Sequence, residues 1–128
     1  MRKIAINVHN GLLAECIHRV LTESGEFQSY QIPPEKRSGL VTECKQFGAE
    51  ILLLEATTFL PRTPMTRLDD VRRFRKENPE CKIALLCDEN VVPDVAREAV
   101  AAKKDGVIDV FFYTSVASSY LVAALAAL

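Results

Sequence analysis

The chain has 128 residues, of which 48% are hydrophobic and 26% are charged, and its formal net charge is −1. This length suits one domain that buries its own core, and the absence of a basic excess argues against direct nucleic-acid binding. The four cysteines form no C-x-x-C pair and have no histidine cluster beside them, so we expect no metal site and no cofactor. They are Cys16, Cys44, Cys81 and Cys87.

The two ends of the chain bear on its location. The first residues, Met1 to Lys3, lead straight into a strand-like segment without a signal peptide, so we expect a cytoplasmic protein with free thiols. The segment from Val110 to Leu128 has no charged residue and approaches the length of a membrane span. Because its composition changes from aromatic to polar to Ala/Leu-rich, we interpret it as strand, loop and helix, with no membrane association.

The first half of the chain predicts three strands and two helices. A strand is predicted over Lys3 to Val8, and apolar residues recur at helical spacing from Leu13 to Leu21. A more polar strand over Phe27 to Ile32 suits a sheet edge, and Pro34 is placed to open the second helix. Four consecutive apolar residues, Ile51 to Leu54, predict a third strand that is buried on both faces at the centre of the sheet.

The second half predicts two more strands and three helices. Thr66 to Asp69 fits a capping box at the start of the third helix, and Lys82 to Cys87 forms another continuous apolar strand. Pro93 is placed to open the fourth helix. The fifth strand is predicted over Val107 to Tyr113, and the fifth helix over Ser118 to Leu128.

Five strand–helix units with short connections predict one α/β domain over residues 1–128. The expected architecture is a five-stranded parallel sheet with helices on both faces, a flavodoxin-like doubly wound sandwich with strand order 2-1-3-4-5. In such sheets, ligands and chemistry gather at the carboxyl ends of the strands, where Glu55 follows the central strand.

With five such units and these strand ends, the chain resembles the receiver domain of bacterial two-component response regulators. The resemblance covers nearly the whole length and is most evident over Ile4 to Leu21, Ala49 to Ala56 and Val110 to Leu125. It implies a signalling domain that is not an enzyme. The last helix stops on an apolar, uncapped end, Ala126 to Leu128, which indicates the N-terminal part of a longer regulator or a helix that packs against a partner.

The residues that carry receiver chemistry are replaced in this chain. A working receiver holds Mg²⁺ with an acidic pair after the first strand and accepts a phosphoryl group on an aspartate after the third. A hydroxyl after the fourth strand and a lysine after the fifth then bind the phosphoryl oxygens. The matching positions, in that order, are Asn7 with Val8, then Glu55, Cys87 and Thr114. None of the five matches the family pattern, so the resemblance implies a pseudo-receiver that works without magnesium-dependent phosphorylation.

Three roles stay open for Glu55: a fixed imitation of the phosphorylated state, an unusual phosphoacceptor, or an inert loop or cap residue. Cys87 lies beside Asp88 with no histidine placed to activate it, so we expect a passive thiol. His18 is expected on the surface of the first helix.

A second family of the same topology, the cobalamin-binding domain, supplies an alternative. Its lower ligand lies in a D-x-H-x-x-G turn after the first strand, and His9 occupies the histidine position here. The aspartate position is Asn7, and the glycine comes one residue early, at Gly11. His9 is therefore a candidate small-molecule contact, although a helix cap or a loop hydrogen bond is the simpler role.

The predicted interaction surface comes from the last helix. In receivers the fourth helix, fifth strand and fifth helix form the signalling and dimer face, and the last helix here has more apolar residues than one face can bury. We expect Tyr120, Leu121 and Leu125 to contact a protein partner or a second copy. The predicted function is phosphorylation-independent signalling through protein contact or dimerisation, in transcriptional or other two-component-type regulation.

Overall fold

The computed structural model describes residues 1–33, 39–56, 64–87 and 93–128. In this part of the chain five strands alternate with five helices. The strands are β1 (Arg2–Asn7), β2 (Phe27–Gln31), β3 (Ile51–Ala56), β4 (Lys82–Cys87) and β5 (Val110–Tyr113). The helices are α1 (Gly11–Glu23), α2 (Leu40–Phe47), α3 (Pro64–Glu77), α4 (Pro93–Lys104) and α5 (Ser118–Ala126).

All neighbouring strands pair in parallel, in the order β2-β1-β3-β4-β5. This confirms the predicted flavodoxin-like fold class. The central strand is β3, whose apolar run Ile51 to Leu54 is at most 1% exposed. The more polar β2 lies at an edge, as its composition predicts.

The core has two layers because side chains alternate across each strand. Leu52 and Leu54 face α2, α3 and α4, whereas Ile51 and Leu53 face α1 and α5. The buried residues that α2, α3 and α4 contribute are Leu40, Cys44, Val71, Phe74, Ala99 and Ala102. Those from α1 and α5 are Ala14, Ile17, Leu21, Leu121 and Leu125.

Helix ends are set by local and distant groups. Asn10 caps α1, since its Oδ1 accepts a hydrogen bond from the Leu13 N–H at 3.1 Å. Gly48 ends α2 in the left-handed conformation, with φ of 77°, which glycine adopts without a Cβ clash. The last turn of α5 has no basic residue, and the Arg2 guanidinium of β1 donates to the Ala126 carbonyl at 3.2 Å instead. The start of the sheet therefore ties down the end of the last helix.

Two predicted boundaries are wrong. β5 begins at Val110, because the backbone N–H groups of Val107 and Ile108 donate to the Ala102 carbonyl and complete the turn after α4. The helix α3 begins at Pro64, a favoured first position, so Thr66 lies inside the helix and not at its cap. The predicted opening of the second helix at Pro34 and the loop over residues 57–63 lie outside the described residues.

An ion pair joins α3 to the two strands at one side of the sheet. The Asp109 carboxylate accepts hydrogen bonds from Arg75 Nη1 at 2.6 Å and from the Ile83 N–H at 2.8 Å. Burial raises the pKa of Asp109, but the hydrogen bonds from Arg75 and Ile83 and the charges of Arg75 and Lys82 outweigh it. The pKa therefore lies below its usual value.

Replacing Asp109 with asparagine tests this ion pair. Asp109→Asn keeps an acceptor oxygen for the Ile83 N–H but removes the charge that faces Arg75, so we expect the free energy of unfolding to fall by about 1–2 kcal/mol at neutral pH. Because the folded pKa is below the unfolded one, this stabilisation is complete above the unfolded pKa of about 4 and is lost as the pH falls through the folded pKa. Urea denaturation of both proteins across this pH range measures the difference.

The matched control is Arg73→Ala, which removes an exposed arginine from the same helix. We expect it to change the free energy of unfolding by less than about 0.5 kcal/mol. A difference between the parent and Asp109→Asn that stays constant down to strongly acidic pH contradicts the assignment.

Candidate functional site

The carboxyl ends of four strands bring the predicted site residues to one edge of the sheet. Asn7 pairs with Leu54, so Val8 and Glu55 follow on adjacent strands. Cys87 ends β4, and its carbonyl accepts a hydrogen bond from the Thr114 N–H at 2.9 Å. We call this set, Asn7, Val8, Glu55, Cys87 and Thr114, the strand-end site.

At the first position of the strand-end site, the surroundings suit an amide and not a carboxylate. The Asn7 side chain is only 3% exposed, and its Nδ2 donates to the carbonyl oxygens of Ile32 at 3.2 Å and Pro33 at 3.4 Å. An aspartate here would place its negative charge against these two carbonyl dipoles. The surroundings of Asn7 therefore provide specific hydrogen-bond acceptors for its amide group.

The second position supplies no ligand. Val8 is 2% exposed and belongs to the core layer under α1 and α5. A buried valine has no oxygen for a hard cation such as Mg²⁺, which prefers carboxylates and waters.

Glu55 is a half-buried carboxylate that fastens the central strand to the turn after β1. Its Oε1 accepts a hydrogen bond from the His9 backbone N–H at 3.1 Å. The His9 residue is exposed, so the described contact from this turn to Glu55 is made by the main chain. Of the three roles left open for Glu55, this geometry favours the third, in which the carboxylate positions the turn after β1.

Cys87 is buried, whereas a side chain that binds phosphoryl oxygens has to be accessible to them. It is 1% exposed and packs in the layer beneath α2, α3 and α4. Burial raises the pKa of the thiol to about 11, so it is protonated at neutral pH. These properties favour a passive thiol.

Among the described residues, no group of three or more His, Cys, Asp or Glu side chains is placed to hold a metal ion. Glu55 supplies the carboxylate of the strand-end site, and Thr114 carries no charge. The segments after β3 and β4, residues 57–63 and 88–92, lie outside the description.

The predicted interface residues fall on different sides of α5. Leu121 is 4% exposed and Leu125 is fully buried, so the expected exposed strip is wrong for these two. They are one helical turn apart and pack on the sheet, whereas Tyr120 points about 100° away and is 63% exposed. Tyr120 also meets Phe112 edge-to-face, with ring centroids 6.3 Å apart.

None of the described helices is long and apolar enough to cross a membrane.

His18, which was expected on the surface of α1, is half-buried. Its Nδ1 shares a hydrogen bond with the Ser29 hydroxyl of the edge strand, and Ser29 in turn lies 3.2 Å from the Thr22 hydroxyl. Nothing in the local pattern of α1 reveals this contact, because it depends on how the helix lies over β2.

No protein-family model and no curated protein matches this chain. Solved structures match nearly all of it. A response regulator receiver domain protein from Clostridium thermocellum has a TM-score of 0.75 at 13% identity, over 98% of this chain and 91% of that one. The isolated REC domain of RcsB from Salmonella enterica serovar Typhimurium, with the phosphomimetic BeF3⁻, has a TM-score of 0.75 at 16% identity, over 98% and 86% of the two chains. The Vibrio cholerae chemotaxis protein CheY4 has a TM-score of 0.72 at 12% identity, over 98% and 96%.

The chain has the receiver fold. This confirms, at the level of the fold, the resemblance predicted from the sequence. At identities of 12–16%, these structures show the fold but assign no role to any single residue of this chain.

Thiol labelling tests the burial of Cys87. We expect a maleimide to label the exposed Cys16 rapidly in the native protein at neutral pH, while the buried Cys87 reacts only after unfolding. Mass spectrometry of the labelled protein counts the adducts. Cys16→Ser serves as the control and should remove the rapid Cys16 adduct, and rapid labelling of Cys87 would contradict the passive role.

Proposed function

We propose that this chain is a pseudo-receiver, a signalling domain that acts through protein contacts without magnesium-dependent phosphorylation. The observation that carries the proposal is the Asn7 amide, which donates to the Ile32 and Pro33 carbonyls where the family has an acidic residue. Val8, the neighbouring position, is part of the core. The acidic pair is thus replaced by residues with structural contacts of their own.

Electrostatics supports the same conclusion. A phosphoryl group on Glu55 would bring close to two negative charges to the strand-end site. Receiver chemistry neutralises that charge with a metal ion and a lysine, and the matching positions here are neutral. Glu55 instead holds a permanent carboxylate against the His9 N–H, so the link between β3 and the turn after β1 exists without phosphorylation.

The contact surface that we propose is the face formed by α4, β5 and α5. Tyr120 on α5 and Val100 on α4 are large apolar side chains exposed by 63% and 51%. Phe111 and Tyr113 of β5 are half-buried, with ring centroids 5.9 Å apart. A tyrosine that is anchored on one side and exposed on the other is a common centre of protein interfaces.

The wider setting is also part of the proposal. RcsB has been solved bound to a promoter, and another structure that this chain resembles is a LuxR-family response regulator. We propose a cytoplasmic regulator, with residues 1–128 as one domain of it, whose nucleic-acid contacts are made outside this domain. A net charge of −1 agrees with that division of labour.

An NMR titration tests independence from phosphorylation. We expect addition of Mg²⁺ and then of beryllofluoride, a phosphoryl mimic, to leave the amide signals of Asn7, Glu55 and Thr114 unchanged, since the metal ligands and the lysine are missing. Glu55→Gln is the matched control, because it keeps the shape of the side chain and removes its charge. Saturable shifts in the parent that disappear in Glu55→Gln contradict the proposal and support a receiver that accepts phosphate at Glu55.

Sedimentation analysis tests the contact surface in its self-associating form. We expect a mass that rises with concentration, and we expect Tyr120→Asp to weaken the dimer at least about tenfold, because the substitution places a charge in an apolar contact. Leu12→Asp is the control, since Leu12 is 79% exposed on α1, outside the proposed face. A monomeric mass at every concentration, or equal weakening by both substitutions, contradicts self-association through this face.

A further inference from the structure

Two thiols lie at the amino ends of the strands, on the edge of the sheet opposite the strand-end site. Cys44 is in the last turn of α2, and Cys81 directly precedes β4. The Cys44 carbonyl accepts a hydrogen bond from the Ala49 N–H at 2.9 Å, and the Glu50 carbonyl accepts one from the Lys82 N–H at 2.9 Å. Because residues 49 and 50 are adjacent, the end of α2 and the start of β4 are held on either side of one peptide unit.

Both thiols face the same space. Cys44 and Cys81 line one cavity of about 400 Å³ and belong to the same buried layer, with exposures of 1% and 2%. The charge of Cys81 also contributes, after burial, to the raised pKa of Cys44. Cys87, which is buried in the same layer, shows no such influence from another thiol.

The cavity is built to admit a small polar reactant. Beside the two cysteines, its lining includes the acidic residues Glu50 and Glu80 and the cationic residues Arg2, Lys45 and Lys82. The last two of these residues are exposed, so the cavity wall continues to the surface. Burial keeps the pKa of Cys81 above its usual value, but of the two thiols Cys81 is the one whose pKa is lowered by a cation, Arg75. The thiolate is the reactive species.

We propose that Cys44 and Cys81 form an oxidation site, in which a hydroperoxide that enters this cavity converts the two thiols to a disulfide between the end of α2 and the start of β4.

Cys81 is the thiol that reacts first. Its pKa is about 11, raised by burial and by Asp109 but lowered by the Arg75 charge, whereas the pKa of Cys44 is about 12. The Cys81 thiolate attacks one oxygen of the hydroperoxide, the O–O bond breaks, and the departing alkoxide takes a proton to give an alcohol. Cys81 is then a sulfenic acid.

Cys44 completes the exchange. Its sulfur attacks the Cys81 sulfur, the S–S bond forms as the S–O bond breaks, and the hydroxide leaves with the Cys44 proton as water. Two electrons pass from the thiols to the hydroperoxide, which ends as one alcohol and one water. Since only the thiolate attacks, the rate of disulfide formation should rise about tenfold for each unit by which the pH increases, until the pH reaches the pKa of Cys81.

The disulfide would close a loop that contains β3 and α3. Such a crosslink restricts the unfolded chain, so the oxidised protein should have a melting temperature higher by roughly ten degrees. Oxidation would therefore make this edge of the sheet more rigid. Arg2, whose guanidinium donates to the Ala126 carbonyl of α5, lies at the same edge.

The experiment uses the full chain carrying Cys16→Ser, so that the exposed thiol cannot link two molecules. The folded protein is treated with hydrogen peroxide, quenched and unfolded, and its remaining thiols are alkylated for mass spectrometry. We expect a species that has lost two hydrogen atoms and keeps one alkylated cysteine, with the Cys44 and Cys81 peptides joined until reduction. Its melting temperature should exceed that of the reduced protein.

The control is Cys87→Ser, which removes an equally buried thiol and should leave the disulfide intact. Cys44→Ala and Cys81→Ala should each abolish it, and alanine keeps these core positions apolar. The peptide map of the parent decides the question even if a variant does not fold. Three alkylated thiols after peroxide, a different cysteine pair, or sulfinic acid without a crosslink would each overturn the proposal.

Discussion

Burial of the central strand on both faces is the constraint on which the rest of this structure depends. Ile51 to Leu54 of β3 are excluded from water by helices on both sides, and each such side chain contributes about 1.5–3 kcal/mol of hydrophobic stabilisation. A run of this kind is stable only inside a sheet that has neighbours on both edges and helices above and below. The doubly wound order follows, and it places Glu55 at the end of the central strand, among the ends of β1, β4 and β5.

The strand-end site keeps the geometry of a receiver while its residues serve packing and hydrogen bonding. Asn7 turns its amide towards the carbonyl groups at the end of β2, Val8 joins the core, and Cys87 is buried and protonated at neutral pH. The Glu55 carboxylate accepts a hydrogen bond from the His9 N–H. Each of these side chains therefore has packing or hydrogen-bond contacts of its own within the fold.

The two edges of the sheet differ in what they hold. The edge at the carboxyl ends of the strands carries the strand-end site. The opposite edge carries the Arg75–Asp109 ion pair, the Arg2 contact with α5 and the cavity lined by Cys44 and Cys81. Contacts at this opposite edge join elements that are distant in the chain, including the first strand and the last helix.

The sequence by itself determined the order of strands and helices, the class of fold and the uncharged residue types at four of the five strand-end positions, because hydrophobic periodicity and residue identity are local properties. It also located the end of α2 at Gly48, where glycine alone adopts the left-handed turn freely. Tertiary structure decided that Leu121 and Leu125 face the sheet while Tyr120 faces outward, since periodicity shows which residues share a face but not which face is covered. It also decided the pairing of Arg75 with Asp109 and of His18 with Ser29, because contacts between distant residues depend on strand register and helix placement, which no local pattern encodes.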